Sequence, residues 1–225
     1  MRALENKTEE KLTLKKKLLF FFFPPKCALC GRVGWEELCP SCREEMDEAF
    51  SPRKFLAAGG NGFADEMIAL FDYESETVKP LLFQWKREDY EDLREIFTSF
   101  ATRAAGKKLL PAKVDYITFA PRRPSARLKN GFDQAESFAR ALSEKFGIPF
   151  QNMLGRRPFS KAQHKLHGNK RDQNVQDAFY PLGTLEGETV LLVDDIVTTG
   201  ASVKECARIL KKCGAMKVYV LCIAH

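Results

Sequence analysis

The sequence contains no long hydrophobic run and no internal repeat. Residues 18–23 form an apolar run of six, whereas a helix that spans a bilayer needs about 20 apolar residues. Three lysines precede this run as in a signal peptide, but two prolines follow it without a small-residue cleavage site. We therefore expect a cytoplasmic protein without a transmembrane segment. Residues 1–26 are predicted to form an arm or short helix packed on the body, with attachment to a membrane surface as the alternative.

Acidic residues are scarce in the middle of the chain. Residues 103–171 contain 16 Lys or Arg and four Asp or Glu, a net charge of +12 in a chain whose total is +6. Such a segment can bind a polyphosphate, a nucleic acid or both, and a solvated surface is the alternative. Histidine is also scarce, and His164 and His167 lie in this segment without a third ligand. We expect them to be solvated or to contact phosphate rather than to bind a metal.

Four of the seven cysteines form two Cys-x2-Cys pairs, Cys27 with Cys30 and Cys39 with Cys42. Two pairs this close supply four thiolates for tetrahedral Zn²⁺, and Gly31 relieves the tight turn that follows the first pair. A redox pair of the thioredoxin type is the alternative, but such proteins use one pair beside a βαβ unit. Residues 27–50 are therefore predicted to form a small zinc ribbon.

The 225 residues are enough for one α/β domain with a small appendage. Residues 52–62 contain Pro and Gly and are predicted to link the ribbon to a domain over residues 63–225. In that domain, apolar segments of strand length alternate with helical patterns, which is typical of a parallel sheet with flanking helices. Strands are predicted over residues 67–73, 114–119, 189–193 and 217–224, and helices over 88–108, 130–146 and 202–210, with a helix or turn over 77–86.

The stretch of residues 189–210 carries the strongest functional signal. Residues 189–193 are apolar and mostly β-branched or leucine, which predicts a strand buried on both faces of a parallel sheet. Asp194 and Asp195 follow directly. They are expected at the carboxyl end of the strand, where open α/β sheets bind ligands.

A loop of small, uncharged residues then leads into an amphipathic helix. This small-residue loop consists of Thr198, Thr199, Gly200, Ala201 and Ser202. Backbone N–H groups at a helix start are unpaired and favour an anion, so the loop is predicted to cradle a phosphate. Two carboxylates directly before such a cradle indicate that the ligand is a sugar phosphate, because its vicinal hydroxyls or a bound Mg²⁺ would contact the two acids. An ordinary strand-to-helix turn with an Asp cap is the alternative.

This stretch resembles the phosphoribosyl-pyrophosphate (PRPP) signature of type I phosphoribosyltransferases: a hydrophobic strand, then Asp-Asp, then Thr-Thr-Gly. The resemblance implies a type I phosphoribosyltransferase-like parallel sheet with flanking helices. It implies that the small-residue loop holds the 5-phosphate and that Asp194 and Asp195 hold the ribose hydroxyls. Arg122 and Arg123, after the strand at 114–119, are the candidates for the pyrophosphate. Residues 155–176 resemble the mobile lid of such enzymes.

The whole chain resembles the ComF competence family, in which a zinc ribbon is joined to a phosphoribosyltransferase-like domain. Besides the cysteine pairs and the PRPP loop, the resemblance rests on separated positions: Arg127, Gly131, Phe132, Gln134, Arg156, Gln163, Arg171 and Asn174. The chain departs from the family pattern at Asn130 and Asp133, where the family usually has Arg and Asn.

Two functions are compatible with these features. The first is Mg²⁺-dependent phosphoribosyl transfer from PRPP to an unknown acceptor, with Asp194 and Asp195 as catalytic residues. Purine salvage is disfavoured, because Thr198 stands where the hypoxanthine-guanine enzymes carry a proton-transferring Asp. The second is implied by the ComF resemblance: a non-catalytic protein that binds single-stranded DNA during natural transformation, with a regulatory PRPP site. Other DNA-uptake proteins would then be its partners.

Overall fold

The computed structural model describes residues 22–35, 37–55, 64–86, 91–158 and 178–225. Most of the predicted arm lies outside these residues, as do His164, His167 and most of the predicted lid. The chain divides into two compact units, Met1–Asp47 and Glu48–His225. No helix in the described ranges is both long enough and apolar enough to cross a membrane.

Helices and strands follow one another along the described ranges in a largely alternating order. They are α1 (Pro40–Ala49), β1 (Phe50–Phe55), β2 (Glu66–Phe71), α2 (Val78–Trp85), α3 (Glu91–Gly106), β3 (Tyr116–Phe119), α4 (Pro124–Asn130), α5 (Gln134–Phe146), β4 (Leu154–Arg156), β5 (Phe179–Pro181), β6 (Thr189–Ile196), α6 (Ala201–Lys212) and β7 (Lys217–Ala224).

The larger unit is built on a five-stranded sheet in the order β1-β2-β7-β6-β3. Strands β2, β7, β6 and β3 run parallel, and β1 pairs antiparallel with β2 at one edge. Strand β6 lies between β7 and β3, and its first five residues are buried, as the run of apolar residues predicts. The mostly parallel sheet with packed helices confirms the predicted α/β class.

Two groups of elements pack on this sheet. Helices α3 and α5 pack against each other, and α5 contacts β3 and β6. The other group is α6 with the hairpin β4–β5, whose Leu154 and Phe179 share a buried cluster with Val203 and Cys206. The apolar face of α6 is thus buried as its three- and four-residue spacing predicts.

Several elements differ from the sequence-based expectation. The predicted linker at 52–62 begins later, because Phe50–Phe55 forms strand β1. The helix predicted from Asn130 begins at Gln134 instead, since the Asp133 carboxylate caps α5 by accepting the N–H groups of Ala135 and Glu136. Helix α4 and the hairpin β4–β5 are additional elements that the pattern did not predict.

Candidate functional site

The four paired cysteines form one cluster in the smaller unit. The Sγ atoms of Cys27, Cys30, Cys39 and Cys42 all lie within 4.8 Å of one another, and those of Cys30 and Cys39 are 3.7 Å apart. A tetrahedral Zn²⁺ with Zn–S bonds of about 2.3 Å separates its sulfurs by about 3.8 Å. The cluster therefore fits a zinc ribbon, and all seven cysteines of the chain are free thiols.

Local hydrogen bonds arrange this cluster. The Gly31 N–H donates to the Cys27 carbonyl at 2.8 Å, and Gly31 adopts a left-handed φ of 72°, which a residue with a side chain rarely adopts. The Cys39 N–H donates to the Cys27 sulfur at 3.3 Å. The Ser41 hydroxyl lowers the pKa of Cys39 to about 6, so this thiol ionises readily into the form that binds metal.

In the larger unit, Asp194 and Asp195 lie near the carboxyl end of β6. The Asp194 carboxylate accepts the Asp195 N–H at 2.9 Å, and the Asp195 carboxylate accepts the Ile196 N–H at 2.8 Å. Burial, followed by repulsion from Asp195, raises the pKa of Asp194 well above its usual value. The two acids are thus adjacent, only partly exposed and electrostatically coupled.

The small-residue loop connects these acids to α6. Gly200 is the N-cap of α6 and adopts a left-handed φ of 75°, so its glycine identity is required by the backbone conformation. The loop borders a pocket of about 280 Å³ that Asp194, Arg123 and Arg156 also line. We call it the β6 pocket. It combines a carboxylate, the N–H groups of a helix start and two guanidinium groups.

The two arginines predicted for the pyrophosphate have different surroundings. Arg123 lines the β6 pocket, whereas the Arg122 guanidinium lies 3.6 Å from the Asp195 carboxylate. The Arg122 side chain is 20% exposed, and its Nη1 is buried without a hydrogen-bond partner in the described structure. Asp133 fixes its backbone by accepting the Arg122 N–H at 2.9 Å.

Asp133 is itself a buried acid of this region, with 4% of its surface exposed. Burial raises its pKa although three backbone N–H groups donate to its carboxylate. Sequence reasoning identified Asp133 only as a departure from the ComF pattern. Its position beside Arg122 depends on the packing of α5 against β3, which no local pattern shows.

A second pocket, of about 350 Å³, lies along α5, and its charged lining consists of three arginines and three acids: Arg94, Arg127, Arg140, Asp133, Glu136 and Glu144. We call it the arginine pocket. The Glu136 carboxylate binds the guanidinium groups of both Arg127, at 3.1 Å, and Arg140, at 2.9 Å. Arg140 also lies over the ring of Phe150, 4.1 Å from its centroid, so its orientation is fixed from two sides.

Comparisons with known proteins show which proteins this chain resembles. A family model described as "Phosphoribosyl transferase domain" matches residues 133–225. The chain is 31% identical over 205 residues to DNA utilization protein YhgH of Salmonella typhi, covering 88% of this chain and 89% of that protein. It is 27% identical over 188 residues to competence protein ComFC of Streptococcus pneumoniae, covering 83% and 80%.

Among solved structures, the chain is similar to glutamine PRPP amidotransferase from B. subtilis in complex with ADP and GMP. That alignment has a TM-score of 0.43 and 19% identity, and it covers 63% of this chain and 30% of that chain.

The fold, the β6 pocket and the family match define a protein with a phosphoribosyl transferase domain, preceded by a four-cysteine module that fits a zinc ribbon. Its relatives along most of the length are DNA utilization and competence proteins. The chain belongs to the ComF family.

Proposed function

We propose that the β6 pocket binds PRPP and that the protein transfers its phosphoribosyl group to an acceptor in a Mg²⁺-dependent reaction. The observation that carries this proposal is the sharing of one pocket by Asp194 at the strand end and an uncharged loop at a helix start. Carboxylates suit ribose hydroxyls and Mg²⁺, whereas unpaired N–H groups suit a phosphate.

The parts of PRPP are assigned by charge. The 5-phosphate lies on Thr198, Thr199, Gly200, Ala201 and Ser202. Asp194 and Asp195 bind the ribose hydroxyls and would hold Mg²⁺, which when bound neutralises charge on the pyrophosphate. Arg122 and Arg123 bind the pyrophosphate, since guanidinium groups match phosphate oxygens and stay charged.

The ion pair between Arg122 and Asp195 is consistent with this assignment. Hydroxyls that hydrogen-bond to Asp195 compete with Arg122 for the carboxylate. The Nη2 of Arg122 is then released to bind an anion in the neighbouring pyrophosphate position. Binding of the ribose therefore prepares the arginine for the leaving group.

The reaction itself is a displacement at C1 of the ribose. The acceptor's lone pair forms the new bond to C1, the C1–O electrons depart with pyrophosphate, and the acceptor loses its proton to solvent. The positive charge that develops on the ring is stabilised by the carboxylates of Asp194 and Asp195, and the charge on the pyrophosphate by the arginines. Thr198 provides no carboxylate for proton transfer, so we propose an acceptor other than a purine base.

We further propose that Cys27, Cys30, Cys39 and Cys42 hold a structural Zn²⁺ in a ribbon over residues 27–50, and that residues 63–225 form the PRPP-binding domain. Four sulfur ligands close the coordination shell, so the metal stabilises the ribbon and takes no part in transfer. We propose a cytoplasmic location, because thiols stay reduced in the cytoplasm and this location also fits PRPP metabolism.

A second candidate function is binding of single-stranded DNA in DNA uptake, with PRPP as a regulator rather than a substrate. The arginine pocket favours it, because Arg127 and Arg140 are each more than half exposed and held in place by Glu136. Oriented guanidinium groups suit a phosphate backbone, and the relatives are named for DNA utilization and competence. Other DNA-uptake proteins are then the expected partners.

Calorimetric titration with Mg²⁺-PRPP, followed by a pyrophosphate-release assay over candidate acceptors, tests the proposal. Binding together with acceptor-dependent release of pyrophosphate is expected. Binding without release for any acceptor, including single-stranded DNA, would favour the regulatory candidate. Absence of binding would rule out both uses of the β6 pocket.

A further inference from the structure

Arg156 is a cation of the β6 pocket whose position is fixed by a small hairpin. Strand β4 pairs antiparallel with β5, which places Arg156 opposite Phe179 and Gly155 opposite Tyr180. The Tyr180 ring packs so closely on Gly155 that a Cβ there would collide with it. The hairpin is thus closely packed where it carries Arg156.

Two contacts orient the Arg156 guanidinium. Its Nη1 donates to the Pro121 carbonyl at 3.2 Å, and its planar group lies 4.7 Å from the centroid of the Phe179 ring. A guanidinium has five N–H donors, so these contacts leave donors available. The Arg156 side chain is therefore held in place while some of its N–H donors remain unused, and this arrangement suits contact with a ligand.

Arg156 and Arg123, which both line the β6 pocket, differ from the other arginines around the two pockets in their charge balance. Arg122 pairs with Asp195, while Arg127 and Arg140 pair with Glu136. In the described ranges no carboxylate lies within 4.0 Å of the Arg156 guanidinium, although Asp194, Asp133 and Arg123 are close enough to influence it. A partly buried cation without a direct counter-charge favours an anion beside it.

The small-residue loop, which lines the same pocket, lacks positive charge. Residues 198–202 offer hydroxyl groups and the N–H groups of a helix start, but no full positive charge. A phosphate monoester carries close to two negative charges at neutral pH. A helix N-terminus supplies the equivalent of about half a positive charge, so the loop alone leaves most of that charge unbalanced.

We propose that Arg156 binds the 5-phosphate of PRPP together with the small-residue loop. This inference rests on the proposed PRPP site. It adds a positive charge beside the 5-phosphate, which the small-residue loop does not supply. Arg122 and Arg123 then serve the pyrophosphate, and the two anionic ends of the substrate have separate arginines.

The test measures the two ends of PRPP separately. Ribose 5-phosphate and Mg²⁺-pyrophosphate are used as probes, each by competition against Mg²⁺-PRPP in calorimetry. For R156A we expect about a tenfold or greater loss of affinity for ribose 5-phosphate, as for a lost charge-assisted contact, and less than about a twofold change for Mg²⁺-pyrophosphate. R156K is expected to fall between R156A and the wild type, because Lys keeps the charge but not the planar fork.

Arg157 provides the matched control, since it is the next residue, has an exposed side chain and does not line the pocket. R157A should leave both affinities unchanged. R156M keeps an unbranched apolar stem against Phe179, and circular dichroism of each variant verifies that the hairpin and sheet remain folded.

The inference is wrong if folded R156A and R156M bind ribose 5-phosphate as the wild type does, or if they lose affinity for Mg²⁺-pyrophosphate alone. A wild-type protein that binds neither Mg²⁺-PRPP nor ribose 5-phosphate would instead overturn the proposed function itself. The two failures are therefore distinguishable by the wild-type titration.

Discussion

The guanidinium of Arg122 lies 3.6 Å from the carboxylate of Asp195, joining the loop after β3 to the carboxyl end of β6. Both side chains are largely buried, with 20% and 13% of their surface exposed, so solvent screens this pair less than a surface ion pair. The register of β3 against β6 explains why Arg122 and Asp195 lie close together. Phe119 pairs with Val193 in parallel strands, so the residues that follow each strand leave the sheet side by side.

Replacing Asp194 and Asp195 by Asn together should lower the affinity for Mg²⁺-PRPP by about 100-fold or more. Each acid contributes a hydrogen bond to a charged group, typically about 1.5–3 kcal/mol, and about 1.4 kcal/mol corresponds to tenfold. Folding should survive, because the substitution removes a buried carboxylate and its repulsion from Asp195, the two causes that raise the pKa of Asp194. Calorimetry and thermal unfolding measure the two effects.

The control for this variant is Asp115, which accepts the Thr189 N–H at 2.9 Å at the start of β6, at the other end of the strand from the pocket. D115N keeps that acceptor and should bind Mg²⁺-PRPP normally. Unchanged affinity in the folded double variant would mean that this strand end is not a PRPP site.

The buried carboxyl group of Asp133 should make stability depend on pH. Its pKa is raised in the folded state by burial, so the folded protein binds this proton more tightly than the unfolded chain does. Below about pH 4 both states are protonated and the group has no effect; as pH rises above that value, deprotonation of Asp133 destabilises the fold. Relative to D133N, the wild type should therefore lose stability as the pH rises from about 4 towards neutral.

Urea unfolding of the wild type and D133N across this range provides the measurement. Arg122 lowers and Asp195 raises the pKa of Asp133, and both act on its ionised carboxylate, so their influence is included in the difference between the two proteins. Parallel stability curves, with a constant offset from pH 4 to pH 7, would contradict the prediction.

One Zn²⁺ per chain should be found by elemental analysis, because four thiolates within 4.8 Å form a closed structural site. Chelation should unfold the ribbon while the larger sheet keeps its circular dichroism and its Mg²⁺-PRPP binding. C27S/C39S should contain no zinc. C213S, which changes a partly exposed thiol at the end of α6, should retain it.

Single-stranded DNA should bind in a salt-sensitive manner that depends on the arginine pocket. R127A/R140A should weaken binding at about 50 mM salt and reduce the slope of log K against log salt by about 1.4, at about 0.7 per lost phosphate contact. Fluorescence anisotropy at several salt concentrations gives both values. K212A/K217A removes two exposed cations outside the pocket and is expected to change the slope less.

If R127A/R140A and K212A/K217A reduced the slope equally, the DNA would be attracted diffusely to a basic surface rather than bound at the arginine pocket. The absence of binding by the wild type at low salt would leave the basic segment to the polyphosphate ligand alone.

The sequence predicted the parts of the site that are continuous along the chain. Strand β6, the acids, the small-residue loop and α6 follow one another within residues 189–212, so hydrophobic pattern and residue chemistry were sufficient. The cysteine cluster was predictable because its spacing is itself the signal.

The parts that sequence reasoning missed depend on contacts between distant residues. Arg156 reaches the pocket only because the three-residue strands β4 and β5 pair, and neither is long enough to show a period. The pattern of β1 indicates a linker rather than a strand, because its sequence contains Pro52, Arg53 and Lys54, which are uncommon in central strands. An edge strand tolerates such residues, since only one side of it pairs within the sheet.

The composition of β1 also affects how the molecule behaves at high concentration. A parallel sheet that ended at β2 would expose a row of unpaired N–H and C=O groups along an apolar strand, a template for pairing with another chain. Strand β1 covers that row with a short strand that contains a proline, two cations and a register shift between Phe50 and Arg53. These features disfavour the addition of a further strand, so we expect β1 to limit edge-to-edge association of the sheet.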